Sequence, residues 1–346
     1  MALTYDTVTD LDTHTKILLF GLSGSGKSYS AAKAGGPAGS KEGRVAILLL
    51  EPNGLPSIRA ANPHAIVVTA YDPKRYGKVY VWEVVEEFIR DAMSGVLTAA
   101  GVGTIVVDSL TELQRVWRDR CLIDDGVEQK RLALHKMTQQ QWGTWTERFR
   151  RVLRTFRDLP MNVIAVCLVQ NETDDDGNIT AIVPAFEGKK LPNEVAQFFS
   201  AVGFCFKREV KFVVGEGDAA RTETKIEHKV CFQSGGKLVV KPFPGLAAVE
   251  EPDPKVWHAK YVASLVASLV SPVAVAVASE PAPVAPVVDE AAVAAQAAAE
   301  SPKVAASEPA TETPAAEPAP AVTPTETAPA AEVTTTTRRR RTAAAE

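Results

Sequence analysis

Residues 21–28 read Gly21-Leu22-Ser23-Gly24-Ser25-Gly26-Lys27-Ser28, a match to the pattern GxxxxGK[ST]. They stand between an apolar run, residues 16–20 (KILLF), and a helix-forming stretch at about 27–33. Strand, glycine-rich turn and helix in that order make a loop whose small residues let the backbone wrap a phosphate. Successive N–H groups and the helix start then point at the anion, and Lys27 adds a point charge for the β- and γ-phosphates. Ser28 offers a hydroxyl to the Mg²⁺ that accompanies them. Gly21 to Ser28, with Tyr29 beside them, are therefore expected to hold Mg-ATP.

Similar short apolar runs lie at 44–50 (RVAILLL), 65–69 (AIVVT), 103–107 (GTIVV) and 162–169 (NVIAVCLV). None alternates polar with apolar residues, which suits strands in the middle of a parallel sheet covered on both faces. Helical patterns at about 81–94, 110–123 and 132–159 separate them, so the class is α/β. Beyond residue 170 the pattern changes. Residues 179–183, 201–212 and 222–232 read as strands with little helix between them beyond 190–199, which predicts an antiparallel extension of the sheet. A last amphipathic helix is predicted at about 254–270, closing a domain over residues 1–271.

Polar residues at the strand ends are the candidates for chemistry. Asp108 ends 104–107 (TIVV), the position from which a carboxylate reaches the Mg²⁺ shell; its alternative is a cap on the following helix. Glu51 ends the run 45–50 and is placed to polarise an attacking water, unless it is only a surface residue before the Pro52 turn. Gln170 closes 162–169, where an amide could sense the γ-phosphate or orient water, or simply mark a polar strand end.

Composition sets the outer limits. The chain is 46% hydrophobic and 23% charged, as globular proteins are. From Pro272 onward there are 10 acidic and 5 basic residues, which leaves the preceding body with 33 basic against 32 acidic, near neutral. Bulk charge thus supports no nucleic-acid partner, though a local basic stripe would suffice. Cys121, Cys167, Cys205 and Cys231 are far apart and read as reduced thiols, not as a disulfide framework or zinc site. The first residues lack a signal-peptide pattern, and the apolar stretch 261–278 is interrupted by serines and Pro272, so a cytoplasmic location without a membrane role is expected. Residues 272–346, rich in Ala, Pro, Val, Glu and Thr without one aromatic, are expected to be a disordered tail ending in the cluster Arg338 to Arg341.

The order of these elements resembles the RecA-like ATPase core: phosphate loop, strand ending in Glu51, intervening strand, strand ending in Asp108-Ser109, strand ending in Gln170. More narrowly, over about residues 13–232 the chain resembles the phage RecA-related single-strand annealing ATPases, the Sak group. GLSGSGKS (21–28), LLLEPNG (48–54), TIVVDSLTEL (104–113), NVIAVCLVQNE (162–172) and IVPAFEGKKLPNEVAQFFSAVGFCF (182–206) carry the resemblance. It implies a homo-oligomeric, DNA-stimulated ATPase acting on single-stranded DNA in phage recombination, by annealing or strand exchange, in a phage-infected or bacterial cell. A single-strand DNA-binding protein is a further implied partner. The group's Pro...Gly-Lys pattern falls here on Pro184, Gly188 and Lys189. Gln170 stands where many relatives carry His, and the loop 171–178 (NETDDDGN), where RecA-like proteins contact DNA, holds three aspartates that repel phosphate.

Other basic candidates are Arg148, Arg150, Arg151, Arg154 and Arg157 on the long helix, with 150, 154 and 157 on one face, and Lys207, Arg208 and Lys211 on the late strands. The helix arginines equally suit a solvated face. Lys207 and Arg208 are also placed to reach a neighbouring subunit's γ-phosphate as finger-like groups. Trp142 and Trp145 suit packing better than base stacking. Two other functions share the phosphate loop: a nucleotide-gated scaffold, which needs no base at Glu51, and a small-molecule kinase, which lacks support because no Arg-rich lid segment is present.

Overall fold

The computed structural model describes residues 14–270, apart from 189, 215–220 and 234. The predicted tail, with Arg338 to Arg341, and Lys189 lie outside the described residues. Strands β1 (Lys16–Gly21), β2 (Arg44–Leu49), β3 (Ile66–Thr69), β4 (Val102–Asp108) and β5 (Asn162–Cys167) are the apolar runs read from the sequence. Two hairpins follow: β6 (Val169–Thr173) with β7 (Ile179–Pro184), and β8 (Ala201–Val214) with β9 (Arg221–Cys231); a short β10 (Val249–Glu250) comes last.

The main sheet has the order β10-β9-β8-β1-β5-β4-β2-β3, parallel from β3 to β8 and antiparallel at β9 and β10. The mostly parallel α/β class is thus the observed one, with the antiparallel extension narrower than expected: β8 still runs parallel to β1, and β7 leaves the main sheet to pair with β6. The reason lies at the end of β5. Leu168 gives its N–H to the Thr111 hydroxyl at 2.9 Å, so a side chain takes the donor that would have continued the ladder, and the strand stops at Cys167.

Helices cover both faces, as buried parallel strands require. In chain order they are α1 (Lys27–Ala32), α2 (Leu55–Ala61), α3 (Val81–Met93), α4 (Val96–Ala99), α5 (Leu110–Asp124), α6 (Gln139–Asp158), α7 (Leu191–Glu194) and α8 (Pro254–Val270). Alternation along the strands sorts the core: Leu18, Phe20, Leu48 and Val107 face the layer of α3, α5 and α6, whereas Ile17, Leu19, Ile47 and Val106 face α1, α2 and Trp257 of α8. Trp145 is fully buried in the first layer and donates Nε1 to Gln114 O at 3.2 Å; Trp142 packs edge-on against it. The helix expected over 132–159 is shorter. It begins at Gln139 because Thr138 caps it, accepting from Gln141 N while the Gln141 amide returns to Thr138 N.

Candidate nucleotide site

The carboxyl ends of β1, β2, β4 and β5 open into a cavity of about 820 Å³ lined by the phosphate loop, Glu51, Asp108 and Ser109, with Lys225 to His228 of β9 as the opposite wall. This placement follows from the sheet: Leu49 of β2 is paired with Asp108 of β4, and Phe20 of β1 with Cys167 of β5, so all four strands end at one level.

The loop turns on Gly24 (φ 69°) and Gly26 (φ 92°), left-handed positions that favour glycine. Gly21 is needed for a different reason, since a Cβ there would sit 2.3 Å from Cys205 O of β8. Lys27 is 7% exposed and folds back on its own loop, donating Nζ to Gly21 O (2.8 Å) and Leu22 O (2.6 Å). Burial holds its pKa below the ordinary lysine value, with nearby groups including Asp108 and Glu51 acting the other way. Tyr29 lies on the cavity lip with the Lys33 ammonium 4.8 Å from its ring centroid.

Asp108 is 6% exposed, receives a hydrogen bond from Ser28, and keeps a second oxygen, Oδ2, buried without a partner. Burial pushes its pKa up to about 6, helped by the charge of Glu51 and opposed by the Ser28 bond and Lys27. A hydroxyl beside a carboxylate with a spare buried oxygen is the hard-oxygen donor set that Mg²⁺ takes, so Ser28 and Asp108 fit that ion. The buried Ser25 hydroxyl also has no hydrogen-bond partner among the described residues.

Because the folded pKa of Asp108 lies above the unfolded 3.8, the empty fold binds more protons between those values and loses stability as pH rises through them. Asp108→Asn is therefore expected to stabilise the protein without nucleotide or metal by up to ~3 kcal/mol at pH 8 and by roughly half that at pH 5. Denaturant unfolding at the two pH values measures it; an equal or opposite change would sink the burial argument.

Glu51 directly follows Leu50 in extended conformation and accepts a hydrogen bond from the Ser109 hydroxyl. Ser109 also caps α5, accepting from Glu112 N at 3.2 Å, so the cap of that helix is Ser109 and not Asp108. Gln170 is not brought to this cluster. It lies in β6 opposite Val183, and Val166, Cys167 and Leu168 form the wall there, because β5 ends at Cys167.

The basic candidates divide. Arg148 pairs with Asp124 (2.6 Å), Arg150 with Glu194 (2.6 Å), Arg154 with Glu147 (3.3 Å) and Arg157 with Asp158 (2.6 Å), so the shared helix face is mostly neutralised. Arg208 pairs with Glu227 at 2.9 Å. Lys207 stands over its own phosphate loop, not away from it, and His228, which sequence reasoning missed, lies with Nδ1 3.0 Å from Ser25 O. No motif marks His228; only strand pairing brings it there. The acidic loop is a tight turn between β6 and β7, with the Asp174 carboxylate accepting from Asp176 N and Asn178 N.

A glycine-rich loop with its lysine, a strand-end aspartate beside the loop serine and a mostly parallel sheet define a P-loop nucleoside triphosphatase fold. The chain belongs to the AAA domain family, whose model matches residues 13–235. Among solved structures it is similar to a prototypical ATPase from the type III secretion system of pathogenic bacteria, at 16% identity and TM-score 0.30, covering 55% of this chain and 51% of that one. It is also similar to a KaiC-like protein from the hyperthermophilic archaeon Pyrococcus horikoshii, at 13% identity and TM-score 0.28, covering 66% and 89%. The chain spans about half the length of the secretion ATPase. No curated protein matches the sequence. Among the described residues no helix is long and apolar enough to cross a membrane.

Proposed function

We propose that this chain is a Mg-ATP-hydrolysing protein of the RecA-like Sak type, acting as a homo-oligomer on single-stranded DNA during phage recombination. The convergence of Lys27, Ser28, Glu51 and Asp108 at one sheet edge carries the hydrolytic part. Loop N–H groups and Lys27 hold the β- and γ-phosphates in line. Ser28 and Asp108 hold Mg²⁺, which supplies charge neutralisation at the transferring phosphoryl group. Glu51, oriented by Ser109, takes the proton of the attacking water.

The DNA part rests on the quoted motif resemblance. With the α6 arginines paired, exposed Lys211 on β8 is the better cation for a phosphate backbone. A chain ending at Ser271 is expected to bind single-stranded DNA, to turn over ATP faster with it, and to bind less tightly as salt rises. Lys211→Glu should weaken that binding alike on all base sequences, because phosphate contacts carry no base information. The measurement is ATP turnover and DNA affinity at two salt concentrations, for this chain and the full one. If only the full chain binds, through Arg338 to Arg341, and turnover never responds, the recombinase reading fails and a nucleotide-gated scaffold takes its place.

A further inference from the structure

We infer that Lys207 is a second phosphate-directed cation of this site, supplied in cis by the β8–β9 hairpin and seated beside His228. The inference rests on the nucleotide reading of the cavity and concerns which phosphate the hairpin reads.

β8 lies against β1 with Gly21 opposite Cys205 and then continues past it, so the next residues overhang the phosphate loop. Side chains alternate along a strand, so Lys207 returns to the face of Cys205, and the register sets His228 of β9 directly opposite it. These two meet three successive loop residues. A Cβ on Gly24 would lie 3.2 Å from Lys207 Nζ; His228 Nδ1 is 3.0 Å from Ser25 O; and a Cβ on Gly26 would lie 2.9 Å from that same ring nitrogen. Because a carbonyl only accepts, Nδ1 carries the hydrogen in this contact, and the histidine clamps the loop that the lysine overlooks.

The charge pattern separates Lys207 from its neighbours. Arg208, Lys225 and Lys229 all engage Glu227, whereas Lys207 makes no ion pair among the described residues. An ammonium left unneutralised over a phosphate loop favours the ligand with the greater negative charge there, hence the triphosphate over the diphosphate.

The test measures affinity of the full chain for a non-hydrolysable ATP analogue and for ADP, both with Mg²⁺, in wild type, Lys207→Ala and Lys207→Arg. Lys207→Ala is expected to lose about tenfold in analogue affinity and under about threefold for ADP, as one charge-assisted contact to the third phosphate predicts. Lys207→Arg should retain most of the preference. An unchanged ratio in a folded Lys207→Ala overturns the inference alone, whereas a wild type that binds neither nucleotide overturns the nucleotide reading with it. Supply in cis is tested by mixing Lys207→Ala with Glu51→Gln. Turnover no greater than the sum of the parts supports it, and regained turnover overturns it by showing that a neighbour lends the lysine.

Discussion

Lys27→Ala is expected to abolish productive Mg-ATP binding and to cut turnover by at least about 10² to 10³, while the empty protein stays within about 1 kcal/mol of wild-type stability. The two halves of this expectation have separate causes. In the complex the ammonium neutralises the transferring phosphoryl group from a buried position, where a fixed charge is worth far more than in solvent. In the empty protein the same ammonium is buried and donates to Gly21 O and Leu22 O, its only acceptors among the described residues, and its pKa is held down by that burial. Removing it relieves a desolvation cost and leaves two carbonyls short of a partner, terms of opposite sign. Nucleotide titration and thermal melting of one preparation read both. Unchanged affinity and turnover in a folded variant would remove the phosphate-loop assignment.

Glu51→Gln should keep nucleotide binding and slow hydrolysis by about 10² to 10⁴, the usual worth of a positioned general base. The amide preserves shape and can still accept the Ser109 hydrogen bond, so the substitution removes basicity with little change of packing. Single-turnover hydrolysis under saturating ATP separates the chemical step from binding. Wild-type turnover would return Glu51 to a surface role before the Pro52 turn and direct attention to another base. Ser109 joins this test, because its hydroxyl both fixes Glu51 and caps α5.

How far the site was legible depended on how local each signal is. Glycine spacing, a lysine and a hydroxyl within eight residues are a local statement about backbone shape, and the flanking strand and helix follow from periodicity in the same window. Asp108 and Glu51 were legible because parallel strands of similar length end at one level, so the residue closing an apolar run lies at the sheet edge. Gln170 failed on that same rule. Its apolar run continues through Val169, but the Thr111 hydroxyl, 57 positions away, takes the Leu168 N–H and ends the strand early.

By itself the sequence determined the phosphate loop, the α/β alternation and the order of strands that place Glu51 and Asp108, because each depends on contacts within one element or on burial on both faces of a strand. Only the tertiary structure decided which late strand flanks the loop. Pairing β8 with β1 and β9 with β8 sets Lys207 over Gly24 and His228 against Ser25, across separations of about 180 and 200 residues. No periodicity encodes such a pairing, since it is selected by the fit of whole faces and by hydrogen bonds between strands distant in the chain.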